Sequence, residues 1–261
     1  MAKQEVNPKL AKAVQYAVEK HAEVKQTRKG TDIPYIVHPM EVMSILQRMN
    51  ADTDLLCAGL LHDTVEDTHA TLEEIEEEFG AHVAELVGNH TEDKSLSWEE
   101  RKTISNEHLK TAPDEVRRLI LADKLSNIRS MAADIRLQGD TEEYWSKFHR
   151  PKVDQSWYYS EAIDALDGMQ DNPETAWAYW ELNAIYKDIF VAFGFDPEHG
   201  ILYQRADHED VFHMLRFNAP FWTIVTDCMP GDIYEVSRLY AERLEDDWIE
   251  NLNIQSGNPV Q

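Results

Sequence analysis

The spacing of apolar residues divides the chain near residue 170. Before that point apolar positions recur at helical intervals. Residues 8–27 place Leu10, Val14, Ala17, Val18 and Ala22 near helical spacing, and Arg28–Asp32 then reads as a loop. Pro39 suits a first helical turn, with Met40, Val42, Met43, Leu46 and Met49 following it. Residues 52–67 predict one nearly all-apolar helix, running through Leu55–Leu61 and ending in His62-Asp63-Thr64-Val65-Glu66-Asp67. Thr71 with Glu74, and Ser97 with Glu100, are capping-box patterns. They open helices that end at Gly80 and near Lys110, with a further helical stretch from Ala81 to about Asn89. Pro113 opens a long helix to about Arg136, and Pro151 another to about Met169.

After Asp171-Asn172-Pro173-Glu174 the pattern changes. A Trp- and Tyr-rich helix is expected from Thr175 to about Tyr186. Extended runs follow at Asp188–Phe195, Gly200–Arg205, Val211–Phe217 and Phe221–Thr226, separated by turn residues. Pro230-Gly231 precedes an acidic helix from Asp232 to about Asn251. The expected class is therefore mainly α: a helical bundle over residues 1–170 and a small α+β appendage over 171–261.

Composition narrows the function classes. Of 261 residues 43% are hydrophobic, ample for a buried core. The formal net charge is −24, from 49 acidic and 25 basic side chains. Long nucleic acids and anionic membrane surfaces need basic protein surface, so neither is an expected partner. A polyanionic ligand would need a local positive site. No apolar run approaches the roughly 18 residues of a membrane span. The first residues, Met1 to Val6, lack the apolar core of a secretory signal. Cys57 and Cys228 are too few for a disulfide framework, so a cytoplasmic setting is expected.

Candidate chemistry lies where polar residues interrupt apolar runs. On a continuous helix, His62, Asp63, Glu66 and Asp67 would share one broad face at about 100° per residue. A helix end emerging into solvent would also explain them. His38 follows the apolar run Tyr35-Ile36-Val37, and Asp123 lies inside Leu119–Leu125. Asn127 is four residues on from Asp123, on the same face. Two histidines and carboxylates, each at the core side of a helix, form a mixed nitrogen and oxygen donor set. Such a set suits Mn²⁺, Fe²⁺ or Mg²⁺ better than the Cys-rich sets of structural zinc. His21 and His90 read as core histidines, and Lys94, Arg101 and Lys102 as a solvated surface.

The spaced set His38, His62-Asp63 and Asp123 resembles the HD metal-dependent phosphohydrolase superfamily. Three stretches are similar to the hydrolase domain of RelA/SpoT-type enzymes and the small alarmone hydrolases. They are Arg28-Lys29 with Pro34–Pro39, Gly59–Thr68 and Leu121–Arg129. The similarity covers about residues 8–170 and implies an HD-domain helical bundle there.

By position, the resemblance implies that His38, His62, Asp63 and Asp123 bind one divalent metal, typically manganese. It implies that Glu66 and Asp67 orient or deprotonate the attacking water. Arg28 and Lys29 would face the nucleotide, Asn127 would touch its ribose or phosphate end, and Lys124 and Arg129 are further substrate-binding candidates. Lys124 and Arg129 also fit a solvated helix face, and Arg28 and Lys29 an ordinary basic helix end. Two departures stand out: Arg28 lies one residue further from His38 than is usual, and Ser126 replaces a frequent His or Tyr. The implied activity is hydrolysis of the 3′-diphosphate of guanosine polyphosphate, ppGpp or pppGpp, to GDP or GTP and pyrophosphate. An HD-type phosphohydrolase acting on another nucleotide, or a non-catalytic metal-binding module, are the alternatives. The expected partner is a small phosphorylated nucleotide, and a homo-oligomer is left open.

Overall fold

The computed structural model describes residues 7–92, 94–148, 150–210, 212–216, 219–225 and 234–256. Met1–Val6, Asp93, Val211, Phe217, Thr226, Cys228 and the Pro230-Gly231 turn lie outside the described residues. The chain forms two compact units. One comprises residues 1–149 and 158–183, the other residues 150–157 and 184–261. The junction expected at Asp171–Glu174 falls inside the first unit.

In the first unit the helices are α1 (Pro8–Glu23), α2 (Val37–Arg48), α3 (Thr53–Leu61), α4 (Thr64–Asp67), α5 (Leu72–Phe79), α6 (Ala81–His90), α7 (Trp98–Thr111), α8 (Asp114–Gln138) and the single turn α9 (Glu142–Trp145). α10 (Lys152–Ala165) and α11 (Ala176–Phe190) carry the chain between the units. α3 is the centre of the unit. It packs against α1, α2, α6 and α8. That explains why it is apolar all round: Leu55, Cys57, Ala58, Gly59, Leu60 and Leu61 are all buried. Asp52 caps it by accepting from the Leu55 amide at 2.9 Å. Gly59 lets α2 approach closely, since a Cβ there would lie 2.6 Å from Leu46 Cδ1.

α8 supplies a second buried wall, continuous from Leu119 to Ser126. α7 begins with a complete capping box between Ser97 and Glu100, as the sequence predicts. Among the described residues no helix is long and apolar enough to cross a membrane.

In the second unit five antiparallel strands take the order β4-β3-β2-β1-β5. They are β1 (Val191–Asp196), β2 (Ile201–Ala206), β3 (Phe212–Arg216), β4 (Ala219–Val225) and β5 (Tyr234–Val236). α12 (Arg238–Ser256) covers one face, placing Ala241 and Trp248 on Phe193, Leu202 and Leu215. Ala241 and Trp248 are two helical turns apart, which puts both on one side.

Two expectations need correcting here. The run expected to be extended from Asp188 stays helical to Phe190, where Tyr186 and Phe190 stack one turn apart, 5.5 Å between centroids. The helix expected from Asp232 starts only at Arg238. Residues 234–236 pair with β1 instead, and the Ser237 hydroxyl accepts from the Tyr240 amide at the helix start.

Candidate metal centre

The sequence suggested one helix through residues 52–67. The structure breaks it at His62-Asp63, between α3 and α4. The cause is local. The Gly59 carbonyl accepts from His62 Nδ1 at 2.9 Å, and the Leu61 carbonyl from the Thr64 hydroxyl at 2.6 Å. Side-chain donors thus occupy carbonyls that would lead into the next turn. His62 keeps helical angles (φ −53°, ψ −37°) and Asp63 departs from them (φ −94°, ψ −6°), and both side chains reach one interior space. His38 enters from the first turn of α2 rather than from before it, and Asp123 from the middle of α8.

These four side chains converge. His62 Nε2 lies 2.9 Å from Asp63 Oδ2 and 3.2 Å from His38 Nε2. His38 Nε2 lies 3.2 Å from Asp123 Oδ1 and 3.5 Å from Asp63 Oδ2. The separation of His62 Nε2 from Asp123 Oδ1 is 3.8 Å. Donors about 2.1 Å from a common ion can be at most about 4.2 Å apart, and every one of these separations meets that limit.

The hydrogen bonds fix the tautomers. A carbonyl only accepts, so His62 Nδ1 carries the hydrogen it gives to Gly59. Ser126 Oγ donates to the Glu41 carboxylate at 3.0 Å, so it accepts from His38 Nδ1 at 2.9 Å. Both imidazoles therefore turn Nε2, the nitrogen able to take up a proton or an ion, toward each other. Two such nitrogens 3.2 Å apart beside two carboxylates call for a positive charge among them, either a proton on one ring or a metal ion. The donor set thus fits a divalent ion, with a carboxylate acting through Ser126 on one ligand and a carbonyl on the other.

Electrostatics agree. Burial lowers the His62 pKa, but Asp63 and Asp123 outweigh it and hold the imidazole up at about 9. Burial pushes the Asp63 carboxyl up, yet His62, His38 and His90 keep it well below the usual carboxylate range. The same holds for Asp123, where Lys124 provides the largest opposing pull. A metal ion and the His62 proton thus compete for one place. The sign follows: below about pH 9 metal uptake must expel that proton, so apparent affinity should fall by about tenfold per pH unit as the solution is acidified. Calorimetric titration in buffers of differing ionisation enthalpy would read the released proton, and a pH-independent affinity between 6 and 8 would contradict a proton held on His62.

The carboxylates of α4 flank this cluster. Glu66 has its pKa raised by burial and then by Asp63 and Asp67. Asp67 Oδ2 accepts from Gln26 at 2.9 Å, and Oδ1 lies 3.3 Å from Lys94 Nζ. Lys94 also donates to the Glu66 carbonyl at 2.7 Å. The lysine read as solvated surface is therefore tied to α4.

On α8, Asn127 Nδ2 donates to Asp123 Oδ1 and Lys124 Nζ to Asp123 Oδ2, each at 2.7 Å. Burial lowers the Lys124 pKa, but Asp123 reverses that and raises it well above normal, so the ammonium stays charged. Arg28 reaches Asn127 Oδ1 at 3.4 Å and lies over the Tyr35 ring. Lys29 lies over the Phe148 ring, 4.7 Å from its centroid. Arg129 is not brought to the cluster: Glu181 holds both sides of its guanidinium at 2.7 Å, and Glu41 lies 3.3 Å away.

Several participants escaped the sequence reading. His90, at the end of α6, places Nε2 3.7 Å from Asp63 Oδ1, with its ring edge-on to His62. Together with His62 and Asp63 it makes a second donor group of the kind that can hold a metal. Burial and the neighbouring His62 lower its pKa to about 4, so it is neutral at ordinary pH. Nothing in its local sequence separates it from a core histidine. Tyr35 donates to Asp63 Oδ2 at 2.6 Å, and its place beside His38 was a usable signal. Gln26 and Glu41 lie on elements whose approach only the fold reveals.

Comparison with known proteins points the same way. A family model described as an HD domain matches residues 13–148. Guanosine-3′,5′-bis(diphosphate) 3′-pyrophosphohydrolase MESH1 of Xenopus tropicalis is 40% identical over 162 residues, covering 61% of this chain and 85% of that protein. The human protein of the same name is 40% identical over 164 residues, covering 62% and 84%. The solved structure of a metazoan ortholog of SpoT that hydrolyzes ppGpp aligns with a TM-score of 0.58 at 31% identity, over 70% of this chain and 97% of that one. With a matched span that contains all four converging side chains, this chain belongs to the HD-domain family.

Proposed function

We propose that this protein is a metal-dependent phosphohydrolase that cleaves the 3′-diphosphate of ppGpp or pppGpp, giving GDP or GTP and pyrophosphate. The observation that carries this reading is the convergence of His38, His62, Asp63 and Asp123 beside two further carboxylates, in a chain 40% identical to named ppGpp hydrolases. In this reading those four residues are the metal ligands. Manganese is the proposed ion, because imidazole nitrogens mixed with carboxylate oxygens suit a borderline divalent metal. When bound, the ion supplies positive charge that acidifies the attacking water and offsets charge gathering on the phosphoryl oxygens.

The chain's own residues do the rest. Glu66 takes the proton of the attacking water, and its raised pKa suits a base working near neutral pH. Asp67 orients that water. Lys124, permanently charged, and Arg28 with Lys29 gather the phosphate charge, while Asn127 links Arg28 to Asp123 and sets the ribose side. Arg129 acts more remotely, through Glu41 and Ser126 on His38. All these residues lie within the segment 1–170, the catalytic part in this proposal, and the compact unit that contains them continues to residue 183. A cytoplasmic setting belongs to the same proposal and is supported by the buried free thiol Cys57.

The deciding experiment is turnover with Mn²⁺. Purified protein should release pyrophosphate from ppGpp, with GDP as co-product. Turnover of other nucleotides with ppGpp spared would remove only the substrate assignment. Metal uptake without hydrolysis of any nucleotide in a broad panel would leave a binding module instead.

A further inference from the structure

A part-buried hydrogen-bonded chain leads from Asp67 to the buried His21 of α1. Gln26 Nε2 donates to Asp67 Oδ2 at 2.9 Å. A carboxylate cannot donate, so the Gln26 amide must turn its NH₂ toward Asp67 and its oxygen toward His21. His21 Nδ1 lies 2.7 Å from that oxygen and therefore carries a hydrogen. The remaining nitrogen, Nε2, is then a bare acceptor, and it is buried without a hydrogen-bond partner. His21 is only 2% exposed. A buried unpaired acceptor is destabilising, and an apolar side chain of similar size would avoid the cost. Core packing alone therefore does not account for an imidazole here.

The same ring supports the centre by a second route. It packs on the Tyr35 ring, 4.8 Å between centroids, and Tyr35 donates to Asp63 Oδ2. The backbone of Gln26 is tied on both sides: its N–H donates to the His21 backbone carbonyl at 3.0 Å and its C=O accepts from the Tyr35 backbone N–H at 3.1 Å. The other partner of Asp67, Lys94, is 55% exposed on a flexible stem and cannot set an orientation alone.

We propose that His21 and Gln26 are positioning residues that fix the rotation of the Asp67 carboxylate beside the phosphohydrolase centre. With Oδ2 held by Gln26 and Oδ1 facing Lys94, the plane of the carboxylate is set and its remaining lone pairs have a defined direction. That direction serves the attacking water. The inference rests on the phosphohydrolase reading, and its test separates the two.

The test compares Gln26→Met, His21→Leu and His21→Asn with the wild type, using Mn²⁺ and ppGpp. Methionine keeps the length of Gln26 but cannot donate. The asparagine amide can place its NH₂ where Nδ1–H was, whereas leucine cannot. Gln26→Met and His21→Leu should lower kcat by about 10- to 100-fold, the cost of a misplaced catalytic group, with KM and Mn²⁺ affinity within about twofold. His21→Asn should recover most of the rate lost in His21→Leu. Unchanged kcat in Gln26→Met, or kcat and metal affinity falling together, would overturn the proposal. So would an asparagine variant as slow as the leucine one. Gln26 lies in a loop, so its variant decides the matter if a His21 variant fails to fold. A wild type that binds Mn²⁺ and spares ppGpp would refute the functional reading instead.

Discussion

Asp63→Ala is expected to lose metal and activity together. Asp63 alone faces three imidazoles, with His62 at 2.9 Å, His38 at 3.5 Å and His90 at 3.7 Å. Removing it leaves those rings with one carboxylate, Asp123, which is already shared with Lys124 and Asn127. Loss of an outer partner of a ligand alone costs about tenfold to a hundredfold in affinity, so loss of this ligand should cost at least about a hundredfold. Turnover should fall on the order of 10⁴-fold, since a metal ion supplies several kcal/mol of charge stabilisation to the transition state. Elemental analysis after dialysis, alongside a steady-state assay, reads both. Full metal stoichiometry in the variant would sink the ligand assignment.

Replacing Glu66 by Gln should divide what Asp63→Ala takes away at once. The amide keeps the size of the side chain and its hydrogen-bonding capacity but cannot accept a proton from water. Metal affinity should change little. The rate should drop by about 10²- to 10⁴-fold, the usual worth of a general base. The raised pKa of Glu66 is why it, rather than Asp67, is assigned the proton. Were Glu66→Gln to keep its kcat within threefold while Asp67→Asn lost it, the two roles would exchange.

The sequence carried much of this and missed the rest for identifiable reasons. Helices whose ends have their own chemistry were legible, as at Ser97 with Glu100, where both halves of the capping box form. The four converging side chains were legible because each interrupts an apolar run. The break at His62-Asp63 was not, because it depends on which donor reaches the Gly59 carbonyl, a contest no periodicity records. His90 was read as an ordinary core histidine, since burial among apolar neighbours looks the same whether or not a carboxylate waits across the interior. Arg129 was grouped with the phosphate-binding cations by its place on α8. Its guanidinium instead meets Glu181 from α11, a partner 52 residues later. Gln26 shows the same limit: its partners His21 and Asp67 are 5 and 41 residues away.

The charge excess is also easier to place. Runs such as Glu73-Glu74 and Glu76–Glu78 fall on α5, where only Ile75 and Phe79 are buried. They make a solvated face, whereas the centre gathers Lys124, Arg28 and three histidines around its carboxylates. A single small polyanion is compatible with that arrangement.

The two compact units are not modules that recombination could shuffle. The chain leaves the first at residue 150, returns at 158 and leaves again after 183. A gene cut at codon 171 would strip the first unit of Glu174, which pairs with Arg118 and Asn50, and of Glu181, which holds Arg129. A cut after residue 183 would strand 150–157, including Lys152 and Ser156, away from Asp207 and His208, which they bond. An ancestral fusion of a ready-made appendage onto a finished hydrolase would leave a single seam. This chain has three, so grafting its last segment onto a relative would require transplanting residues 150–157 as well.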